Sequence, residues 1–198
     1  MKEIKKEITK KLSEWRPKID NNNLSVFLVD ECHLLWGDVC GYVWGKTSER
    51  VEVPMTNERE KQTYYGALNY QTKQFLIKPY KTADSEQTVD FVKYLLKQCP
   101  GQTIVLIWDR ASHHRSKHNL AYLEQINEGL PAEYWPVTCI LLAPNAPEQN
   151  PVEDIWLKGK NEIRNKYHLG NSFKEVKELF VNAIDGQYFT FPKVDQYG

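Results

Sequence analysis

TIVLIWDRASHHRS, residues 103–116, runs an almost wholly apolar stretch of six into an acid, Asp109, and then a polar turn. An apolar run of that length without alternation is what a strand buried on both faces requires, and an acid at its end delivers a carboxylate to the edge of a sheet. Two further acids occupy comparable places. Asp30 closes the run Leu24 to Val29, and Glu153 follows the breaker-rich turn APNAPEQNP, residues 143–151, at the start of a helical pattern. Three carboxylates at three element ends suggest a metal site.

Working outward, the chain turns from strands to alternating helices and strands. Val89, Val92, Leu95 and Leu96 recur at helical steps after the cap residues Asp84 and Ser85 and stop at Pro100-Gly101, which predicts a helix ahead of the strand Thr103 to Asp109. A helix from Ser116 to Gly129, a strand Val137 to Leu142, and helices over Pro151 to Tyr167 and Phe173 to Ile184 follow. Upstream, Leu24 to Glu31, Val39 to Trp44 and Arg50 to Val53 read as strands, and Thr63 to Asn69 with Gln74 to Tyr80 as a hairpin. A β meander followed by strand and helix in alternation predicts an α/β fold with a mixed sheet whose later part is parallel. Before it, Ile4, Ile8, Leu12 and Trp15 mark a helix among many lysines. Those lysines read as phosphate contacts or, preferably, as a solvated face balanced by Glu3, Glu7 and Glu14. The expected organisation is a helical extension over 1–22, one catalytic domain over 23–186 and an irregular tail over 187–198.

The 198 residues, 41% of them hydrophobic, suffice for one sizeable core. The 26 basic and 26 acidic residues cancel, so DNA or RNA binding must come from local patches and not from a global field. Cys32, Cys40, Cys99 and Cys139 form no CxxC pair, which favours reduced thiols in a cytoplasm. No apolar run is long enough to cross a membrane, and the expected location is cytoplasmic.

In an open α/β sheet, functional groups gather beyond the carboxyl ends of the strands. Carboxylates are the ligands that hard Mg²⁺ or Mn²⁺ prefers, and two such ions about 4 Å apart serve in-line displacement at phosphorus. Any one of Asp30, Asp109 or Glu153 alone would read as a turn residue or helix cap. Glu31 and Asp154 neighbour the proposed ligands and are the alternatives to them, less favoured because a strand or helix step points neighbours in different directions. His113 and His114 read equally well as site residues or as neutral turn residues.

These blocks together carry a resemblance. FLVDE at 27–31, WDRASHHRS at 108–116 and LAPNAPEQNPVEDIW at 142–156 resemble the signature blocks of DDE transposases from the bacterial insertion-sequence branch of the mariner-like superfamily. The resemblance implies an RNase H-like fold. It also implies dependence on Mg²⁺ or Mn²⁺, two ions in all, and DNA transposition by nicking at the element's ends followed by strand transfer into target DNA. Matched to the motif, Asp30, Asp109 and Glu153 are the catalytic acids and metal ligands. His114, Arg115, Asn150 and Trp156 fall on motif positions that support or contact the site. Arg110, Ala146 and Gln149 depart from the family's usual Asn, Ser and Leu.

Relatives commonly carry helix-turn-helix modules ahead of the catalytic part, and here one short helix precedes the first strand. The expectation is therefore a catalytic half, one frame of a two-frame element or a truncated relic, whose partners are element ends, target DNA, a second copy of the chain and an upstream helix-turn-helix product. Lys158, Lys160, Arg164 and Lys166 follow Glu153 on one helix and are expected to meet phosphates, the alternative being a solvated face. Trp44 is expected in the core, while Trp36 is left between core and base stacking. The alternatives to a transposase enzyme are an inactive or regulatory DNA-binding remnant and a ribonuclease H-type nuclease.

Overall fold

The computed structural model describes residues 2–40, 46, 48–49, 60–144, 146–193 and 197. Its centre is a five-stranded sheet of β1 (Leu24–Leu35), β2 (Lys61–Asn69), β3 (Phe75–Tyr80), β4 (Thr103–Trp108) and β5 (Val137–Leu141) in the order β3-β2-β1-β4-β5. β1, β2 and β3 pair antiparallel, whereas β1, β4 and β5 pair parallel. The mixed sheet read from the sequence is therefore present, with the meander on one side and the crossover strands on the other.

Alternation along the strands divides the core in two. Val26, Leu28 and Cys32 of β1, with Val105 and Ile107 of β4, face α1 (Lys2–Asp20), α4 (Val152–Asn165) and α5 (Phe173–Ile184). Phe27 and Val29 of β1, with Ile104, Leu106 and Trp108 of β4, face α2 (Ser85–Gln98) and α3 (Lys117–Asn127). Asp84, Ser116 and Ser172 cap α2, α3 and α5 by accepting backbone N–H bonds in the first turn, which fixes where each helix begins. Gly159 lets α5 approach α4, since a Cβ there would lie 2.7 Å from the Phe180 ring.

Several expectations need correction. β1 does not end at its acid but continues to Leu35, so Asp30 lies inside a strand. The reason is tertiary: β2 pairs with β1 as far as Leu35↔Lys61, beyond the point where β4 has ended. Trp36–Val39 form a short 3-10 turn, so Val39 does not open a strand, and most of the strand expected over Val39 to Trp44, with all of that over Arg50 to Val53, lies outside the described residues, as does Trp44. Trp36 is buried and stacks on Phe173 at 6.3 Å, which makes it core.

The two ends of the chain also belong to the core. α1 buries Ile8, Leu12 and Ile19, and its cations pair within the helix, Lys10 with Glu14, Lys11 with Glu7 and Arg16 with Asp20. The tail is irregular yet docked. Tyr188 bridges to Gln74, Phe189 and Tyr197 are buried, and the Tyr197 hydroxyl donates to the Gln149 carbonyl at 2.7 Å.

Candidate metal centre

Parallel pairing of β1 with β4 brings the first two acids together. Leu28 stands opposite Ile107, so Asp30, two residues further along β1, and Asp109, the residue after β4 ends, lie side by side. By the alternation above, both emerge on the face covered by α4. Glu153 lies in the first turn of α4.

Asn150 ties that turn to the strand. Its amide donates to the Val29 carbonyl at 3.0 Å, one residue before Asp30, while its side-chain oxygen accepts from the Val152 N–H at 3.2 Å. One turn beyond Glu153, the Trp156 indole N–H donates to Asp30 Oδ2 at 3.0 Å. Gly66 makes room for that indole. It pairs with Asp30 across β1 and β2, and a Cβ at Gly66 would lie 2.5 Å from the Trp156 ring and closer still to Phe75. Gly66→Ala is therefore expected to destabilise the protein by about 1–3 kcal/mol through overpacking. Urea unfolding measures this, and an unchanged midpoint would mean that Trp156 is free to move aside.

The electrostatics bear out the clustering. Burial, followed by the charges of Glu31, Glu153 and Asp109, pushes the Asp30 carboxyl well above the ordinary aspartate range. Among the described residues no lysine or arginine forms an ion pair with Asp30, Asp109 or Glu153. Glu153 and Asp109 thus act on Asp30 by like-charge repulsion, with no lysine or arginine among the described residues paired to any of the three.

Asp109 is anchored by one oxygen. Its Oδ1 accepts from the Ala111 N–H at 2.9 Å and faces His114 Nδ1 at 3.0 Å. The His114 bond foremost, and then the Ala111 N–H, hold the Asp109 carboxyl low against the opposing effect of burial. His114 is itself buried, stacked on Trp108 with ring centroids 4.2 Å apart, and its Nε2 lies 2.9 Å from Glu31 Oε1. Burial works against a charged imidazole here, but the hydrogen bonds to Asp109 and Glu31 prevail and raise His114 to about 9.

The neighbouring acids are placed elsewhere. Glu31, next after Asp30 on the strand, sits on the opposite face with His113 and His114. Asp154 pairs with Lys193 at 3.2 Å. The cations on and just after α4 meet groups of the chain: Lys158, exposed, sits over the Phe189 ring, Lys160 pairs with Asp38 at 3.2 Å, Arg164 donates to the carbonyls of Asp38 and Cys40, and Lys166, exposed, pairs with Glu162. Lys160 and Arg164 thus brace the segment that follows β1. Arg115 is exposed and has no hydrogen-bond or ion-pair partner among the described residues. Arg110, at one of the departures, donates to the Leu142 carbonyl at 3.0 Å, joining the ends of β4 and β5.

Sequence reasoning missed Gly66, because its pairing with Asp30 depends on a register set across a long connection. It also left Glu31 without a partner. The adjacency of Asp30 and Glu31 on a strand signalled that they face apart, but not what Glu31 meets.

Comparison with known proteins fits this arrangement. No curated protein matches the chain by sequence. Among solved structures, it resembles a chain of the simian T-cell lymphotropic virus intasome in complex with the PP2A regulatory subunit B56 gamma, with TM-score 0.56, 7% identity, and coverage of 87% of this chain and 53% of that one. It also resembles Mos1 transposase in a paired-end complex with the left transposon end, with TM-score 0.51, 15% identity, and coverage of 94% of this chain and 62% of that one. The chain thus spans a little over half the length of each. These likenesses show the fold: the five-stranded mixed sheet with flanking helices is RNase H-like, as in transposase and integrase catalytic cores. The sequence model of the DDE superfamily endonuclease matches residues 25–179, most of the sheet and four of the five helices, and the chain belongs to that family.

Proposed function

We propose that this chain is the catalytic domain of a transposase, a metal-dependent DNA endonuclease and strand transferase. The observation that carries the reading is the convergence of Asp30, Asp109 and Glu153 on one face at the carboxyl end of the parallel strands, with no lysine or arginine of the described chain paired to them. Such a donor set suits Mg²⁺ or Mn²⁺: it is all oxygen, and the repulsion that raises Asp30 is what a divalent cation relieves. When bound, two such ions would activate the attacking oxygen and stabilise the leaving one.

The residues of the chain then divide the work. Asp30, Asp109 and Glu153 hold the ions. Trp156 and Asn150 fix Asp30 and Glu153 relative to one another, and His114 fixes the free oxygen of Asp109 through the bonded one. Arg115, exposed directly after the buried His114, is assigned to a DNA phosphate. In the first step a water oxygen bonds to phosphorus and the bond to the 3′ oxygen breaks, leaving a 3′ hydroxyl and a 5′ phosphate. In the second, that 3′ oxygen bonds to a target phosphorus and displaces the target's own 3′ oxygen. Handling two element ends requires a second copy of the chain, and end recognition is assigned to an upstream helix-turn-helix product, acting on DNA in a bacterial cytoplasm.

The test is Mg²⁺- or Mn²⁺-dependent nicking of DNA carrying the element's ends, by this chain alone and by the chain joined to the upstream frame. Cleavage in either form is the expected result. Silence in both, with DNA still bound, would overturn the enzyme reading in favour of a regulatory remnant, and preference for an RNA–DNA hybrid would make it a ribonuclease H.

A further inference from the structure

On the far side of the sheet from the acids, Glu31, His113 and His114 bring one carboxylate and two imidazoles together. Their ligand atoms lie within 4.8 Å of one another, the one such group of histidine, cysteine and acid side chains among the described residues. Glu31 Oε1 is 2.9 Å from His114 Nε2 and 3.4 Å from His113 Nε2. Adjacent ligands of a tetrahedral ion with bonds of about 2.0–2.1 Å stand about 3.3 Å apart. His113 Nε2 is buried, and its 3.4 Å approach to Glu31 Oε1 lacks hydrogen-bond geometry, which leaves the nitrogen poorly satisfied by the chain itself.

The surroundings have the form of a metal site. His114 Nδ1 is 3.0 Å from Asp109 Oδ1, the carboxylate–imidazole contact that fixes a metal-binding histidine's tautomer with Nε2 toward the ion. The turn that carries both imidazoles is held by His114 N–H to the Ala111 carbonyl, Ser116 N–H to the His113 carbonyl and the Asn119 amide to the His114 carbonyl. The side chains of His113 and Glu31 remain 16% and 10% exposed.

We propose that Glu31, His113 and His114 form a second metal site, back to back with the carboxylate triad, for a borderline divalent ion of the Zn²⁺ type. Two imidazoles and one carboxylate select Zn²⁺ or Co²⁺ over Mg²⁺, whose oxygen preference the triad serves. An ion there locks His114 and, through its Nδ1–H, the orientation of Asp109. The two sites share that one hydrogen bond and no ligand. The resemblance to transposases matches Glu31 and His114 but leaves the place of His113 open to any residue, so the complete set of three ligands is a feature of the chain and not of the motif.

Co²⁺ titration of the metal-free full chain tests this, carried out over a pH series that reaches the raised value of His114, since metal binding must displace the proton that Asp109 and Glu31 favour there. The background carries Asp30→Asn and Glu153→Gln, which cripple the triad and leave the second site whole. One equivalent of Co²⁺ with visible absorption of a four- or five-coordinate ion, and a rise in Tm with Zn²⁺, is the expected result. Both signals should be lost on adding His113→Gln, and Glu31→Gln should weaken binding by at least tenfold, with unchanged circular dichroism showing that each variant is folded. Co²⁺ bound by the wild type but not by the Asp30→Asn, Glu153→Gln chain would overturn the second site and leave the triad standing. Binding that persists undiminished in His113→Gln would overturn it equally.

Discussion

Asp30→Asn is expected to abolish metal-dependent cleavage while making the metal-free protein more stable. Loss of one of the three proposed metal ligands should cost at least about 10³-fold in rate, or about 4 kcal/mol of transition-state stabilisation. The gain in stability follows from the same geometry. Asp30 is partly buried beside Glu31, Glu153 and Asp109, which is why its carboxyl is driven upward. An amide of the same shape still accepts from the Trp156 indole and removes the repulsion. Relief at a site shaped for function is commonly worth about 0.5–2 kcal/mol, and at this chain length each kcal/mol moves Tm by about 2–4 °C. Mn²⁺ should then raise the Tm of the wild type, by mass action on the folded state, more than that of Asp30→Asn. Cleavage retained by the variant would remove Asp30 from the catalytic set, and a Tm below that of the wild type would show that its charge is compensated.

Trp156 is expected to separate structure from positioning. Its ring is buried between Phe75 at 5.1 Å and Phe180 at 6.1 Å, and lies against the bare backbone of Gly66. Trp156→Ala leaves a cavity where the sheet meets α4 and α5, and should cost about 3–5 kcal/mol. Trp156→Phe keeps an aromatic ring in the same place but loses the N–H that holds Asp30 Oδ2. That variant should lose under about 2 kcal/mol, since the hydrogen bond is worth about 1.5–3 kcal/mol to a charged group and the freed carboxylate regains water. Its cleavage rate should nonetheless fall about tenfold, the equivalent of about 1.4 kcal/mol. Denaturant unfolding with cleavage on the same samples measures both. Equal cleavage by Trp156→Phe and wild type would make the indole a packing residue alone.

Much of the fold was legible because it rests on local patterns. The apolar runs of β1 and β4, the hairpin of β2 and β3, and helices capped at Asp84, Ser116 and Ser172 each declare themselves within about a dozen residues. Element ends were less legible where a partner sets them. β1 outruns its apolar stretch because β2 continues to pair with it, and the tail is irregular in sequence yet buries Phe189 and Tyr197. The contacts of the α4 cations were likewise not legible, since Lys158, Lys160 and Arg164 reach Phe189, Asp38 and nearby carbonyls on elements far away in the chain.

By itself the sequence determined the type of sheet and singled out Asp30, Asp109 and Glu153, since buried strands and capped helices write their periods and most of their boundaries into adjacent residues. Only the tertiary structure decided which acids share a face. The strand period of two sends Asp30 toward α4 and Glu31 toward His113 and His114, and the β1–β4 register brings Asp109 alongside. Register and facing are set by pairing between segments far apart in the chain, which no local pattern encodes.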